Sequence, residues 1–477
     1  MKALIPLLLI AVLSLSSCTV VGPDHVPPEV SLPGAFHESD ARLAAESVDL
    51  SAFWTAFNDP MLTSLVARAR ANNRDVARSL AAIAEARALY EATGADLRPQ
   101  VQFGADYRHS QESETTAFGT FRTFRTSEQV TVGVDASWEI DLFGRFARTR
   151  EAALADFDGA VEASAAVYSS LAAECARTYI ELRVAEARLR VIRKNLTIQN
   201  RTATLATDRY DAGLAPKSDM LSSQSTAKRT ASTLPAVEAL VRNAENRLAV
   251  LLGQMPGTLA EELAAPGPIP TPPVSIAVGL PADLLRRRPD LRQAERAIAK
   301  ETALVGVATA DLYPSFSLIG NLGLQSEKLS DLFTGASTIY GIGPSISFNL
   351  FDRDRTHRLI EAQESRRAQA ILRYEATVLN AVEEAESAMT RLVRSQARRD
   401  LLTESLSFAE EALVVATAQY ESGLSDYLVI LEAERSLAQI EDEMVLVDGD
   451  ISLAAVSLYK ALGGGDPGRT GSDVDVP

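Results

Sequence analysis

Two cysteines and four histidines are the only thiols and imidazoles in this 477-residue chain, so its capacity for nucleophilic or metal chemistry is small. His25, His37, His109 and His357 are scattered, and none has the His-Glu-x-x-His spacing that sets two imidazoles on one helix face. No Gly-x-Ser-x-Gly elbow, Walker loop or dinucleotide-binding glycine pattern occurs. Asp and Glu pairs abound, but they fall on long helical stretches, where a carboxylate is an ordinary solvated charge. The chain therefore reads as no enzyme, with no catalytic residue, no metal site and no cofactor.

One residue does sit in a reactive setting. Lys2 precedes a short apolar run, Ala3 to Leu15, that ends in Leu15-Ser16-Ser17-Cys18. As a helix this run reaches about 20 Å, short of the roughly 30 Å hydrocarbon core, so it reads as a cleaved export signal. Small residues directly before a cysteine suit lipoprotein processing, which would leave Cys18 as an acylated N-terminus. Thr19 follows, not the aspartate associated with inner-membrane retention, and outer-membrane lipid is favoured as the destination. Cys175 then has no partner for a disulfide, and its place on an apolar stripe predicts a buried, inert thiol.

The formal charge of −16 argues against a nucleic-acid partner, which needs clustered Lys and Arg. The run Arg286-Arg287-Arg288 reads as a surface cluster at a helix start, not as a phosphate site.

The elements that must position any site come in two copies. Ala95-Asp96-Leu97-Arg98-Pro99 recurs as Ala310-Asp311-Leu312-Tyr313-Pro314, and Asn73-Arg74-Asp75-Val76 faces Arg288-Pro289-Asp290-Leu291. Asp141-Leu142-Phe143-Gly144-Arg145 recurs as Asn349-Leu350-Phe351-Asp352-Arg353, and Tyr210-Asp211-Ala212-Gly213-Leu214 as Tyr420-Glu421-Ser422-Gly423-Leu424. Leu252-Gly253 and Leu462-Gly463 close the two units, and all the offsets lie between 208 and 215 residues. The organisation expected is a signal peptide over 1–17, a lipid-anchored segment over 18–58 and a first repeat over 59–254. A proline-rich surface linker over 255–280, a second repeat over 281–463 and a flexible tail over 464–477 complete it. The linker carries Pro256, Pro266, Pro268, Pro270, Pro272 and Pro273, a density read as incompatible with helix or inner strand.

Each repeat reads as helix, strand, loop, strand, very long helix, turn, helix. From Gln129 to Leu142 the apolar residues Val130, Val132, Val134, Ala136, Trp138, Ile140 and Leu142 alternate without a break with polar residues or glycine. Tyr340, Ile342, Pro344, Ile346, Phe348 and Leu350 repeat the pattern. Two hairpins result, over 99–142 and 314–350, with tips near Glu114–Arg125 and Lys328–Thr338. Globular strands usually run about five or six residues. Strands of ten or more with one apolar and one polar face instead match a membrane barrel with lipid outside and water inside. Arg145 to Arg209 contains no proline and would extend roughly 95 Å as one helix. Its stripe through Phe157, Val161, Leu171, Cys175, Leu182 and Leu189 keeps the three–four spacing of coiled-coil packing. Arg353 to about Tyr420 does the same, and each long helix is followed by a Tyr-x-x-Gly turn and one antiparallel helix, Ser218–Leu252 or Asp426–Leu462. Four strands leave open edges that cannot persist in hydrocarbon, so the sheet must close between chains. Eight strands would be filled by side chains, whereas a homotrimer's twelve leave a lumen.

The segments Cys18-Thr19-Val20-Val21-Gly22-Pro23-Asp24, Trp54-x-x-Phe57-x-Asp59-Pro60-x-Leu62-x-x-Leu65 and Leu285-Arg286-Arg287-Arg288-Pro289-Asp290-Leu291-Arg292 occur in this order. With the Leu-Phe-Gly-Arg and Leu-Phe-Asp-Arg strand ends, they make the chain similar to the TolC-like outer-membrane efflux protein family, in its lipoprotein (NodT- and OprM-like) branch. That resemblance implies an α+β membrane channel: a trimeric twelve-stranded barrel continued by a helical tunnel in the periplasm of a Gram-negative cell. It implies work as the exit duct of an efflux pump, with a periplasmic adaptor and an inner-membrane pump of the resistance-nodulation-division type. It further implies a gate just after the second Tyr-x-x-Gly turn. Leu428 is then a hydrophobic plug, Glu432 a carboxylate ring and Arg435 lies one turn further, with Asp219 placed to hydrogen-bond Tyr420. On its own Glu432 reads as one more solvated helix charge, and Tyr420 equally as a packed turn residue. Ser425 departs from relatives that carry arginine there, and Glu432 replaces an aspartate. Two alternatives stay open: the same duct serving type I protein secretion, and a periplasmic coiled-coil adaptor or scaffold.

Overall fold

A computed structural model describes residues 20–38, 40, 42–44, 50, 53–111, 126–273 and 275–464. Cys18, the signal segment, the first hairpin tip and the tail beyond Gly464 lie outside the described residues. The elements begin with strand β1 (Leu43–Ala44), a 3-10 turn (Phe53–Phe57) and helices α1 (Pro60–Asn72) and α2 (Arg74–Thr93). The first long hairpin follows, β2 (Gln100–Gln111) and β3 (Thr126–Ile140), and then α3 (Arg145–Asp211), α4 (Lys217–Ala231) and α5 (Leu234–Leu251). Next come α6 (Ala260–Leu263), β4 (Ile276–Ala277), α7 (Pro281–Arg287) and α8 (Pro289–Ala310). The second hairpin, β5 (Ser315–Ser326) and β6 (Thr338–Ser347), leads into α9 (Arg353–Glu421) and α10 (Tyr427–Ala461). The chain packs as two units.

The first unit takes in the described residues within 20–29, 83–160 and 294–374 and holds the long strands. They form one antiparallel sheet in the order β2-β3-β5-β6, so the hairpins of the two repeats join through β3 and β5. Asp141 starts α3 by accepting the Ala147 N–H at 2.8 Å, satisfying a donor that a helix start leaves open. The segment after residue 19 is strapped beside this helix. Buried Arg148 donates from Nε to the Val21 carbonyl at 3.1 Å and from Nη2 to Asp24 at 2.8 Å. Gly22 has φ +90°, and a Cβ there would lie 2.4 Å from the Gly306 Cα, so only glycine fits this close passage.

The second unit takes in the described residues within 30–82, 161–293 and 375–464 and is mainly helical. On α3 the expected stripe is buried at Leu171, Cys175, Thr178, Leu182, Ala185 and Leu189. Below Leu189 the buried face changes character, passing to Asn195, Gln199, Thr202 and Ala206. On α9, Val378, Ala381, Ala385, Ala388 and Leu392 are buried in the same rhythm, small residues that let helices approach closely.

The structure departs from expectation in several places. The first repeat's return segment is two helices, α4 and α5, not one: Pro235 in the first turn of α5 lacks the N–H that would continue α4. Ser232 and Thr233 at the break turn their hydroxyls back onto the carbonyls of Arg229 and Thr230, at 2.6 and 2.8 Å. The opening helix of each repeat is likewise double. Asn73 ends α1, and its side chain accepts from the N–H groups of Asp75 and Val76 to start α2. Arg288 is held extended before Pro289. The linker is not irregular throughout: α6 fits the proline-free gap between Pro256 and Pro266, and β4 pairs in parallel with β1 between Pro273 and Pro281. Leu259 and Leu263 are buried there. Arg288 is not a surface residue either. It is 6% exposed, and its guanidinium grips Asp290 at 2.7 Å, Glu384 at 2.8 Å and the Ala461 carbonyl at 3.1 Å. It thereby caps the carbonyl end of α10, where a cation is favoured.

Candidate channel face and gate

The strand register explains what the sheet can do. Phe103, Val134, Leu322 and Tyr340 stand in one row across all four strands, and Val101, Ala136, Gly320 and Ile342 in the next row on the same face. The other face carries Gln102, Asp135 and Asn321 in register. Apolar side chains on the first face are bare: Tyr340 is 81% exposed, Ile342 79% and Phe103 70%. A sheet with one bare apolar face, one polar face and open edges on β2 and β6 is suited to separate hydrocarbon from water. Among the described residues no helix is long and apolar enough to cross a membrane.

The gate candidates gather in the second unit, where α3 and α9 end. Both turns share one backbone geometry: Leu214 N–H donates to the Arg209 carbonyl and Leu424 N–H to the Gln419 carbonyl, each at 2.8 Å. Gly213 and Gly423 take φ near +71° and +73°, the left-handed helix stop that glycine adopts freely. Beyond the second turn, Leu428, Glu432 and Arg435 lie along one exposed face of α10, Leu428 at 69%. The opposite face buries Tyr427, Ile430, Leu431, Glu434 and Leu437.

Tyr420 is 2% exposed and packs with Ala416, Tyr427, Ile430 and Leu431. Its ring meets that of Tyr427 edge-on, with centroids 6.2 Å apart. The Tyr420 hydroxyl has no hydrogen-bond partner among the described residues. Burial raises its pKa, the Asp219 charge adds to the rise and Arg209 opposes it, so Asp219 acts on Tyr420 through its field. Asp219 is half-buried, and its carboxylate accepts from Ser218 Oγ at 3.3 Å. Tyr427 does use its hydroxyl, bonded to the Thr226 side chain, and burial pushes its pKa up to about 12.

Two participants escaped the sequence reading. Glu434 is 4% exposed and accepts from Thr202 Oγ1 at 2.6 Å, and burial raises its carboxyl above the ordinary range. Arg209 donates to the Tyr420 carbonyl at 2.6 Å with its guanidinium 4.7 Å from the Tyr420 ring centre. Its place beside the first turn's tyrosine was the available signal. Cys175 is fully buried, and desolvation pushes its thiol up to about 12.

The sequence profile described as outer membrane efflux protein matches residues 65–254 and 280–464, most of both repeats. The chain belongs to that family. It shares 32% identity over 468 residues with nodulation protein T of Rhizobium leguminosarum bv. viciae, covering 97% of this chain and 92% of that one. With outer membrane protein OprJ of Pseudomonas aeruginosa it shares 29% over 465 residues, covering 97% and 96%. The solved outer-membrane channel OprN superimposes with a TM-score of 0.87 at 33% identity, covering 94% of this chain and 99% of that chain. As a member of this TolC-type family, the chain is an outer-membrane, periplasm-spanning efflux duct of a tripartite transport system, a passive channel and not an enzyme.

Proposed function

We propose that three copies of this chain join β2 edges to β6 edges, closing a twelve-stranded barrel in the outer membrane. The bare apolar rows then meet lipid, and Gln102, Asp135 and Asn321 line water. The helices α3, α4, α5, α9 and α10 continue as a tunnel into the periplasm, anchored through acylated Cys18. A periplasmic adaptor and an inner-membrane pump of the resistance-nodulation-division type hand substrates to it. At the tunnel tip Leu428 forms an apolar constriction, Glu432 rings the lumen with like charges that attract cations, and Arg435 follows one turn on. Tyr420 and Asp219 belong to the fastening of that tip. The single observation that carries this reading is the two-faced sheet with unpaired outer strands, which has no stable end state as a lone chain in hydrocarbon.

The test is conductance. Purified wild-type protein in a planar bilayer is expected to conduct weakly, and the Leu428→Ala, Glu432→Gln double variant strongly. Equal conductance would remove these two residues from the gate. A protein that stays monomeric in detergent and passes no ions would remove the barrel.

A further inference from the structure

We infer that Arg209 is the clasp that holds each chain's tip closed, and that Tyr420 serves it through its ring and its carbonyl, not through its hydroxyl. The inference rests on the gate reading above and names the contact that this gate must break.

The last turn of a helix leaves carbonyls without intrahelical donors, at the negative end of the helix dipole. At the end of α9 the Tyr420 carbonyl accepts only the turn N–H of Gly423, at 3.0 Å, which leaves one lone pair open, and the Glu421 carbonyl lies beside it. Arg209, in the last turn of α3, supplies the donors: Nη1 lies 2.6 Å from the Tyr420 carbonyl and 3.3 Å from that of Glu421. The same guanidinium lies over the Tyr420 ring, 4.7 Å from its centre, a cation–π contact. Gly423 serves this turn through its φ of +73° and not through space, since a Cβ there would meet Nη2 at an ordinary 3.7 Å. Three contacts from one side chain therefore tie the end of the first repeat's long helix to the end of the second's, 211 residues apart. Among the described residues Arg209 Nε is buried without a hydrogen-bond partner.

The hydroxyl of Tyr420 tells the complementary story. It is buried and makes no hydrogen bond among the described residues, while Asp219 influences it only electrostatically. Removing that oxygen breaks no tie. The clasp is also one-sided, because the residue matching Arg209 in the second repeat is Gln419, which is exposed. Opening α10 away from the pore axis must slide the end of α9, and Arg209 is what resists.

The experiment compares full-length acylated variants in planar bilayers, alongside the Leu428→Ala, Glu432→Gln protein. Arg209→Ala is expected to raise the time spent conducting by roughly tenfold or more, the scale of losing hydrogen bonds from a charged donor. Arg209→Lys keeps charge but loses the planar fork, and should leak to an intermediate degree. Tyr420→Phe should match wild type. If Arg209→Ala fails to assemble as a heat-resistant trimer, Arg209→Lys decides in its place. A silent Arg209 variant beside a leaky Leu428→Ala, Glu432→Gln protein would overturn the clasp and spare the gate. Leakage from Tyr420→Phe equal to that of the Arg209 variant would also overturn it, by returning the lock to the hydroxyl. A leaky Arg209 variant beside a silent double variant would keep the clasp and discard the Leu428–Glu432 ring.

Discussion

The two Tyr-x-x-Gly turns have the same backbone and opposite surroundings. Tyr210 is 36% exposed, whereas Tyr420 is 2% exposed, although each carbonyl accepts the N–H of a glycine three residues on, at 2.9 and 3.0 Å. The difference comes from the helix that each turn leads into. After Gly213 the chain enters α4 through Lys217-Ser218-Asp219, a polar start with little to cover a ring. After Gly423 it enters α10 through Tyr427-Leu428-Val429-Ile430, and Tyr427 and Ile430 close over Tyr420. Arg209 completes the cover. Duplication has preserved the turn, and the return helices have diverged: one polar and broken at Pro235, the other continuous over 35 residues and apolar on one face. Two matching turns have come to hold one exposed and one buried tyrosine.

Substitutions on the two sides of that contrast can break or sharpen it. The largest effect is expected at the tyrosines themselves. Tyr420→Ala should destabilise the solubilised protein by about 3–5 kcal/mol, as large aromatic deletions in cores do. Tyr210→Ala should stay within about 0.5 kcal/mol. Urea unfolding followed by helical circular dichroism measures both, and similar losses would erase the distinction. Tyr427→Phe comes next, giving up the hydroxyl bond to Thr226 for about 1 kcal/mol in the same assay. If Thr226→Val and the double variant lose the same amount as Tyr427→Phe, that bond is the cause.

Glu434→Gln should act in the opposite direction and only over part of the pH range. Burial raises the folded carboxyl above its ordinary 4.5, so the native state keeps its proton longer than the unfolded chain. The stability this lends is complete below pH 4.5 and is lost as pH rises through the folded value. The glutamine variant should therefore match wild type in acid and unfold later than wild type at neutral pH. Parallel midpoints across that range would refute the assignment. Smallest of all, Pro235→Ala should shift stability by no more than about 0.5 kcal/mol, because the break at Ser232–Thr233 is also held by their own hydroxyls. A single helix over Lys217–Leu251 in the variant, seen as gained ellipticity, would assign the break to proline alone.

Much of this was legible in one chain. Strand alternation through Val130, Val132 and Val134 is a local property with period two, so it survives translation into a sheet face whatever the surroundings. The long helices, with ends at Arg145 and near Arg209, were equally local: a proline-free three–four pattern and a glycine stop. What sequence misjudged were residues whose roles depend on distant neighbours. Arg288 resembled a surface charge until Asp290, Glu384 and the end of α10 enclosed it. The linker's prolines hid two ordered pieces, because proline density says nothing about the gaps between prolines.

Composition and periodicity by themselves determined the repeat, the two-faced strands, the helix–turn–helix order and the absence of an enzyme's motifs. Each depends on residues near one another in the chain. Only tertiary structure decided that Tyr420 and not Tyr210 is buried, that Glu434 lies in the core and that Arg209 reaches the end of α9. These outcomes depend on which helix end meets which across some two hundred residues, and a sequence pattern carries no coordinate for that encounter.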